Sequence, residues 1–330
     1  MKSSILAAID IGSNAVRLLI NKVDAENSGY VFKKIAYMRM PIRLGEDVFT
    51  QCRVSDSKAD RLVEAMQGFD HIMRAYAVSE FRACATSAMR DAANGEALVK
   101  TIREQTGIDV EIVSGLQEAE FIYAAGARSL QMTLGDDEAC LHVDVGGGST
   151  ELVVYTNQRM CFHDSFRIGT VRMLSNAVEE AEKARFTSYL DHIHKRYAPV
   201  YLVASGGNIN KAFKILDKKA GSPLQFQELE GLYASLQALS FEERMQAFCL
   251  NDYRADVIVP ALEIFIAIGK ASSSLRSIYV PKIGLVDGLI RDLHKKRMSG
   301  RKTAESSAQS EHYMITDQGG ETHERQKNYR

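Results

Sequence analysis

The sequence has little of what marks a secreted, membrane-spanning or nucleic-acid-binding protein. Its five cysteines are scattered without a Cys-x-x-Cys pair, which argues against a disulfide framework and a structural zinc site. The formal net charge is only −1, so the molecule as a whole has no basic field for nucleic acid. No apolar run approaches the roughly 18 residues that span a membrane, and the amino terminus lacks a signal-peptide layout. We therefore expect a cytoplasmic protein with reduced thiols that binds neither nucleic acid nor membrane.

What is present is an ordinary globular composition, 45% hydrophobic and 25% charged over 330 residues, which is enough for two domains. Short apolar runs alternate with longer segments of helical periodicity. Strands are predicted at 5–11, 16–23, 30–38, 81–86, 110–113, 140–145, 150–155, 160–166, 200–204 and 278–280. Helices are predicted at 57–76, 92–105, 116–130, 177–197 and 284–296, and over most of 225–275.

The chain carries an internal repeat near the start of each half. Segments 9–18 and 143–152 align without gaps, and each one reads as a strand, an Asp-x-Gly turn and a second strand. Self-similarity of this kind indicates duplicated structural units. Chance similarity between two hairpins is the alternative, and the matched Asp10 and Asp144 weigh against it. The repeat therefore predicts two similar domains with a cleft between them.

We place the domain boundary after residue 126, which gives an N-terminal domain at 1–126 and a C-terminal domain at 127–297. The last predicted helix, at about 284–297, is expected to pack back on the first domain. Residues 298–330 contain few apolar side chains. Such a segment cannot bury enough surface to offset its ordering entropy, so we predict a disordered tail.

Each repeat ends in a loop that suits phosphate. Glycine lets backbone N–H groups approach an anion closely, consecutive N–H groups form an anion-binding nest, and hydroxyl groups add donors. A tight hairpin turn is the alternative for either loop alone. The predicted phosphate-binding residues are Gly12, Ser13 and Asn14 in the first loop, and Gly146, Gly147, Gly148 and Ser149 in the second.

A third anion site is predicted at Ser205, Gly206 and Gly207, where an apolar strand meets a helix. A helix amino terminus favours anions through its free N–H groups, although an ordinary strand-to-helix turn is the alternative. Arg17 and Arg90 follow a strand or turn close to the loops, so we predict that both bind phosphate. We expect the other arginines of these regions to be surface charges: Arg43, Arg167 and Arg172.

Two carboxylates are expected to face the same cleft, because Asp10 and Asp144 each end a predicted strand. Ionised carboxylates repel phosphate, and a Mg²⁺ ion between the two removes that conflict. A third acid, Glu118, lies in the first turn of the helix that follows Ser114. An acid there either complements the helix dipole or serves as a base for water.

At this point the motifs, in their order along the chain, resemble the Ppx/GppA family of exopolyphosphatases and guanosine pentaphosphate phosphatases. The two Asp-x-Gly motifs alone mark the wider actin-like ATPase superfamily, and the Ser-Gly-x-x-Glu-Ala segment narrows the resemblance to this family. The motifs are Asp-Ile-Gly-Ser-Asn from Asp10, Ala-Thr-Ser-Ala-Met-Arg from Ala85, Ser-Gly-Leu-Gln-Glu-Ala from Ser114, Val-Asp-Val-Gly-Gly-Gly-Ser-Thr-Glu from Val143, Ile-Gly-Thr-Val-Arg from Ile168 and Ala-Ser-Gly-Gly-Asn from Ala204.

The resemblance implies an α/β fold with two ribonuclease H-like (actin-like ATPase) domains and a substrate that enters the cleft between them. Because the two loops come from opposite domains and must meet around one ligand, we also expect the domains to close on it. It implies an Mg²⁺-dependent hydrolase, with Mn²⁺ as a second option, that removes the terminal phosphoryl group of polyphosphate or guanosine pentaphosphate. Guanosine tetraphosphate is an expected ligand as well. By the same resemblance, Glu118 activates water as the catalytic residue. The predicted metal ligands are Asp10, Asp144 and Glu151.

Three positions depart from the family pattern. Glu120 stands where the family often has Arg, and Val286-Asp287 stands where it tends to Arg-Glu. We expect these residues in or near the cleft, where they would change substrate preference or turnover. They leave open a polyphosphate- or alarmone-binding protein with little hydrolysis, and behind it a small-molecule kinase of the same superfamily. The oligomeric state is also open, with a homodimer as one option.

Overall fold

The computed structural model describes residues 3–26, 29–130, 138–156 and 159–299. Among these residues, ten strands form two five-stranded sheets. The first sheet contains β1 (Ser4–Ile11), β2 (Val16–Glu26), β3 (Gly29–Met40), β4 (Glu80–Ala85) and β5 (Val110–Ile112). The second sheet contains β6 (Cys140–Val145), β7 (Thr150–Thr156), β8 (Arg159–Phe166), β9 (Tyr201–Ser205) and β10 (Ser277–Tyr279).

The two sheets have the same topology. Their strand orders are β3-β2-β1-β4-β5 and β8-β7-β6-β9-β10. In both sheets the first three strands in sequence pair antiparallel, and the last two join in parallel. The sequence repeat therefore corresponds to one strand arrangement that occurs twice. The boundary at residue 126 stays a prediction.

Helices cover both faces of the sheets. They are α1 (Leu44–Gln51), α2 (Asp56–Ala75), α3 (Ser87–Asp91), α4 (Gly95–Thr106), α5 (Gly115–Leu130), α6 (Thr170–Leu174), α7 (Glu180–Tyr197), α8 (Gly207–Ile215), α9 (Phe226–Gln237), α10 (Phe241–Ala247), α11 (Asp252–Ala255), α12 (Ile258–Ala271) and α13, residues 285–299. No described helix is both long enough and apolar enough to cross a bilayer.

The predicted elements differ from the observed ones mainly at their ends and in three short helices. Helices α1, α3 and α6 are absent from the sequence prediction, because five to eight residues carry too little periodicity to be recognised. Helices α4 and α7 begin three residues later than predicted. The tail predicted for 298–330 lies outside the described residues except for 298 and 299, which continue α13.

Helix α5 lies between the two sheets. One side of α5 joins an apolar cluster with the first sheet and α13, in which Ile122 packs with Leu6 and Leu289. Its other side packs on the second sheet, where Ala119 meets Val153. Helix α5 is therefore held against both sheets, and it brings its first turn to the region where their central strands end.

Candidate active site

The two predicted phosphate loops are in direct contact. The first loop joins β1 to β2, and the second joins β6 to β7. A Cβ atom placed on Gly148 would lie 2.0 Å from the hydroxyl oxygen of Ser87 and 2.8 Å from that of Ser13. No side chain fits at that distance, so glycine is required at this position by the close approach of the two loops.

The carbonyl groups of the second loop are bound from behind by α6. The backbone N–H of Thr170 donates to Gly146 O at 3.1 Å, and that of Val171 donates to Gly147 O at 2.8 Å. The Nε of Arg172 donates to Gly148 O at 2.8 Å. In a trans peptide the C=O and the following N–H point in opposite directions. The N–H groups of residues 147–149 therefore point away from α6, as an anion-binding nest requires.

The first loop is braced in the same way by the segment that leads into α1. Gly45 N donates to Ser13 O at 2.8 Å, and Arg43 N donates to Asn14 O at 3.1 Å. Helices α1 and α6 follow β3 and β8, which are equivalent strands of the two sheets. Both loops thus turn their carbonyl groups outward and their amides toward the space between them.

Three buried carboxylates meet beside the loops. Oxygen atoms of Glu118 on α5, Asp144 at the end of β6 and Glu151 at the start of β7 lie within 4.8 Å of one another. Burial, and then the charges of Glu151 and Asp144, raise the pKa of Glu118 well above its usual value. Burial and the charge of Asp144 likewise raise the pKa of Glu151. Three acids at this spacing favour a cation among them.

The hydrogen bonds of the three acids suit a metal ion. The Ser205 hydroxyl donates to Asp144 Oδ1. The hydroxyls of Ser149 and Ser165 donate to Glu151 Oε1 at 2.6 and 3.0 Å. The Oε2 atoms of Glu118 and Glu151 are buried without a hydrogen-bond partner among the described residues. Leaving such oxygens unpaired is costly, and an all-oxygen donor set is what a hard divalent cation takes. The residues present therefore fit a divalent metal ion.

Asp10 is placed differently from the other predicted metal ligands. It forms an ion pair with Arg17, and it lies outside the group of three acids. Its Oδ1 is buried without a partner among the described residues, and its charge contributes to the raised pKa of Glu118. Asp10 is therefore close to the acids, and its role as a metal ligand stays a prediction.

The remaining predicted residues surround the acids. Arg90 donates from Nη1 to Val113 O at 2.6 Å, and its charge opposes the rise in the pKa of Glu118. At the third predicted anion site, Gly206 has a φ of 111°, which favours glycine, and Gly207 begins α8. A Cβ on Gly207 would lie 3.0 Å from the guanidinium of Arg254, so this helix start already has a cation beside it.

An arginine cluster beside the first loop was not predicted from the sequence. Burial, and then the charges of Arg39 and Arg17, lower the pKa of Arg254 to about 10. The guanidinium of Arg39 lies 4.4 Å from the centre of the Tyr253 ring, and its Nε and Nη1 atoms are buried without hydrogen-bond partners among the described residues. Arg17 is paired with Asp10 and Arg254 donates to Asn208, whereas Arg39 keeps free donors among the described residues. A free guanidinium next to two further cations favours an anion. Arg39 and Arg254 lie far apart in sequence, so no local pattern signals this cluster.

The three arginines expected at the surface have different environments. Arg167 is exposed, as predicted. Arg172 is 4% exposed, and its guanidinium stacks on the Phe49 ring at 3.9 Å, so the surface prediction is wrong for this residue. Arg43 is mostly buried, because its side chain reaches across to Asp256.

The three departures from the family pattern lie elsewhere than expected. Val286 is a core residue, packed in the apolar cluster of β1 and α13. Asp287 pairs with Lys34 at 2.8 Å and accepts a hydrogen bond from Gly284 N. Glu120 lines a groove with Tyr30, and none of the predicted phosphate-binding residues lines that groove. The expectation that these residues form the cleft is therefore wrong.

A comparison with protein families gives a match over most of the chain. A family model described as the Ppx/GppA phosphatase family matches residues 19–297. The chain belongs to the Ppx/GppA phosphatase family. The family recognition made from the motifs is thereby confirmed.

Two curated relatives of this Ppx/GppA chain are longer proteins that it matches over part of their length. A bifunctional 3-dehydroquinate synthase/phosphatase of Fusobacterium nucleatum is 33% identical over 170 residues, which is 51% of this chain and 25% of the relative. Exopolyphosphatase 1 of Mycobacterium bovis is 31% identical over 147 residues, which is 44% of this chain and 41% of the relative. The matches thus span less than half the length of these relatives.

A solved structure shares the fold of this Ppx/GppA chain over most of its length. An exopolyphosphatase from Cytophaga hutchinsonii superposes with a TM-score of 0.75 at 24% identity, covering 88% of this chain and 97% of that one. The likeness confirms the predicted fold class, an α/β protein with two actin-like units. The individual roles of the site residues stay predictions.

A family motif residue, Gly115, allows a test of the site geometry. A Cβ on Gly115 would lie 2.3 Å from the Ser165 hydroxyl oxygen, so Gly115→Ala must push the start of α5, which carries Glu118, away from Glu151. We expect stability to fall by about 1–3 kcal/mol, as for other overpacked sites. We also expect phosphatase activity to fall by about tenfold or more, because small displacements of reacting groups are costly. Thermal unfolding and steady-state kinetics measure the two effects.

The matched control is Gly68→Ala within α2, where no atom of the described residues lies within 4 Å of the added Cβ. Alanine in place of an interior helix glycine is expected to stabilise by about 0.5–1 kcal/mol and to leave activity unchanged. Normal activity in Gly115→Ala would mean that the contact between α5 and β8 does not set the position of Glu118.

Proposed function

We propose that this protein hydrolyses the terminal phosphoanhydride bond of a phosphate chain, either inorganic polyphosphate or guanosine pentaphosphate, with Mg²⁺ and with Glu118 as the base. The observation that carries the proposal is the position of Glu118. It is a buried acid whose Oε2 has no hydrogen-bond partner among residues 3–26, 29–130, 138–156 and 159–299. It lies beside Asp144 and Glu151, where the two amide-lined loops meet.

Phosphoryl transfer asks for positioning and charge neutralisation more than for covalent chemistry. The inward-facing amides of both loops supply donors for the oxygens of the terminal phosphate. Asp144 and Glu151 would hold the metal ion, aided on one side by Asp10, and Mg²⁺ or Mn²⁺ suits their oxygen ligands. When bound, the metal adds positive charge against the phosphate oxygens.

Glu118 is suited to accept a proton from water. Burial and the neighbouring acids raise its pKa above the usual range of a carboxyl group, which makes its ionised form a stronger base. The charge of Arg90 acts in the opposite direction and keeps the ionised form accessible. Proton transfer to Glu118 would leave a hydroxide-like oxygen in line with the bond that breaks.

The arginine cluster supports a substrate that is longer than one phosphate. Arg17, Arg39 and Arg254 lie beside the first loop, and their mutual repulsion is relieved by anionic groups. Phosphates that trail behind the terminal one would supply that charge. Relatives named exopolyphosphatase support a polymer of phosphate, and a guanosine pentaphosphate offers a shorter chain of the same chemistry.

The proposal predicts release of inorganic phosphate from long-chain polyphosphate, tripolyphosphate or guanosine pentaphosphate when purified protein is assayed side by side with each in Mg²⁺. Activity with at least one of the three should disappear on chelation and return with Mg²⁺ or Mn²⁺. A chain that binds these compounds and releases no phosphate from any of them in either metal would be a binding protein, and the hydrolase proposal would be wrong.

A further inference from the structure

An arginine of the second sheet's domain links the second phosphate loop to the opposite half of the molecule. Arg172 donates from Nε to Gly148 O at 2.8 Å and from Nη2 to Asp91 Oδ2 at 2.6 Å. Asp91 is the last residue of α3, which belongs with the first sheet. The buried guanidinium thus spans from the loop carbonyl to the other side of the cleft.

The short helix α3 connects that arginine to the first phosphate loop. Ser87, at the start of α3, shares a hydrogen bond of 3.0 Å with Ser13 of the first loop. Asp91, one turn later, holds Arg172. A continuous path of contacts therefore runs from the first loop through α3 and Arg172 to Gly148.

A second arginine makes the reciprocal connection. Arg43 donates its backbone N–H to Asn14 O in the first loop, and its Nη2 pairs with Asp256 at 2.5 Å on the side of the second sheet. Each loop is thus braced by an arginine that also forms an ion pair across the cleft. Arg43 reaches its loop through the backbone and Arg172 through its side chain, and the two share the combination of a loop contact with an ion pair to the other half.

We propose that Arg172 and Asp91 are positioning residues that set the second loop for binding of the phosphate chain, with Arg43 and Asp256 doing the same for the first loop. The pair does not touch substrate. It keeps the Gly148 carbonyl turned outward, and the amide of the next residue is thereby turned toward the ligand. The kinetic part of this inference rests on the proposed phosphate release, and the binding part does not.

The test is a double-mutant cycle on Arg172 and Asp91, with Arg172→Ala, Asp91→Asn and the double variant. We expect KM for polyphosphate to rise by about tenfold in each single variant, which corresponds to about 1.4 kcal/mol of binding, while kcat changes little. A loss of binding that is equal in ground and transition states has this signature. The double variant is expected to be no worse than Arg172→Ala, because both changes break the same contact.

Arg167→Gln is the matched control, because Arg167 is the other cation on Asp91, at 3.1 Å, and its side chain is 63% exposed. We expect its KM to stay at the wild-type value. Equal effects of Arg167→Gln and Asp91→Asn would overturn the inference, since surface charge alone would then explain both. Effects that multiply in the double variant would also overturn it.

Binding of tripolyphosphate by calorimetry, with each variant built on Glu118→Gln in Mg²⁺, separates this inference from the proposed function. A wild-type chain that releases no phosphate would refute the hydrolase, and the affinities would still report whether Arg172 and Asp91 act together. The nearly isosteric Asp91→Asn covers the case in which Arg172→Ala fails to fold. Unchanged affinity in a folded Asp91→Asn variant would refute the positioning role.

Discussion

Glu118→Gln is expected to lower phosphate release by about 10²–10⁴-fold, the contribution typical of a general base. Glutamine keeps the size of the side chain and removes its ability to take up a proton. Because the substitution also removes one charge from three crowded acids, we expect affinity for the phosphate chain to stay the same or increase. Single-turnover kinetics and calorimetric binding measure the two quantities separately.

Glu120→Gln is the control for this change. Glu120 lies two residues along α5, is exposed and lines the separate groove beside α13, so its substitution should leave phosphate release unaffected. Near-normal turnover in Glu118→Gln would assign the base to another group. Equal losses in both variants would indicate that α5 tolerates no change, and the loss in Glu118→Gln would then carry no mechanistic meaning.

Asp144→Asn is expected to change stability in opposite directions with and without metal. In chelator, the variant should melt a few degrees above the wild type, because one of three buried and mutually repelling charges is gone. In Mg²⁺ or Mn²⁺, the wild type should gain about 2.7 kcal/mol at 100 times the dissociation constant, and the variant should gain far less. Turnover should fall by about 100-fold or more, because the substitution removes one of the predicted metal ligands.

Thermal unfolding in chelator and at increasing metal concentrations tests whether the order of the two stabilities reverses. Asp109→Asn serves as the control, since the side chain of Asp109 is 77% exposed and lies outside the cluster, and its two curves should follow those of the wild type. A metal-induced shift in Asp144→Asn as large as that of the wild type would place the ion elsewhere. A variant less stable than the wild type in chelator would mean that Asp144 is already compensated by Ser205 and Arg17.

The fold was readable from the sequence where its signals are local. The buried strands β1 and β6 are recognisable as continuous apolar runs, and the sequence repeat that contains them predicts the duplicated topology. Helix α3 went unrecognised because its five residues have no periodicity to detect. Its position depends on long-range contacts that have no local sequence signal, such as the hydrogen bond between the Ser87 and Ser13 hydroxyls.

The same distinction separates the site residues that were predicted from those that were missed. Glu118, Asp144 and Glu151 stand in recognisable motifs, and the structure brings the three together. Ser165 orients Glu151 from a neighbouring strand, and Arg39 faces Arg254 across a long separation in sequence. Such partners are selected by the folded geometry, because an arginine that braces a loop and one that is solvated look alike in a sequence.

The duplicated fold is not symmetric in its acidic residues. The helices that follow the equivalent strands β5 and β10 begin alike, with Gly-Leu-Gln-Glu from Gly115 and Gly-Leu-Val-Asp from Gly284. The second acid, Asp287, pairs with Lys34 and accepts a hydrogen bond from the start of its own helix. Glu118 Oε2, by contrast, has no hydrogen-bond partner in the part of the chain that the structure describes. Two nearly symmetric loops therefore enclose a centre with an acid free on one side. The two ends of inorganic polyphosphate are chemically identical, so the protein and not the polymer would decide which end of a bound chain faces the free acid.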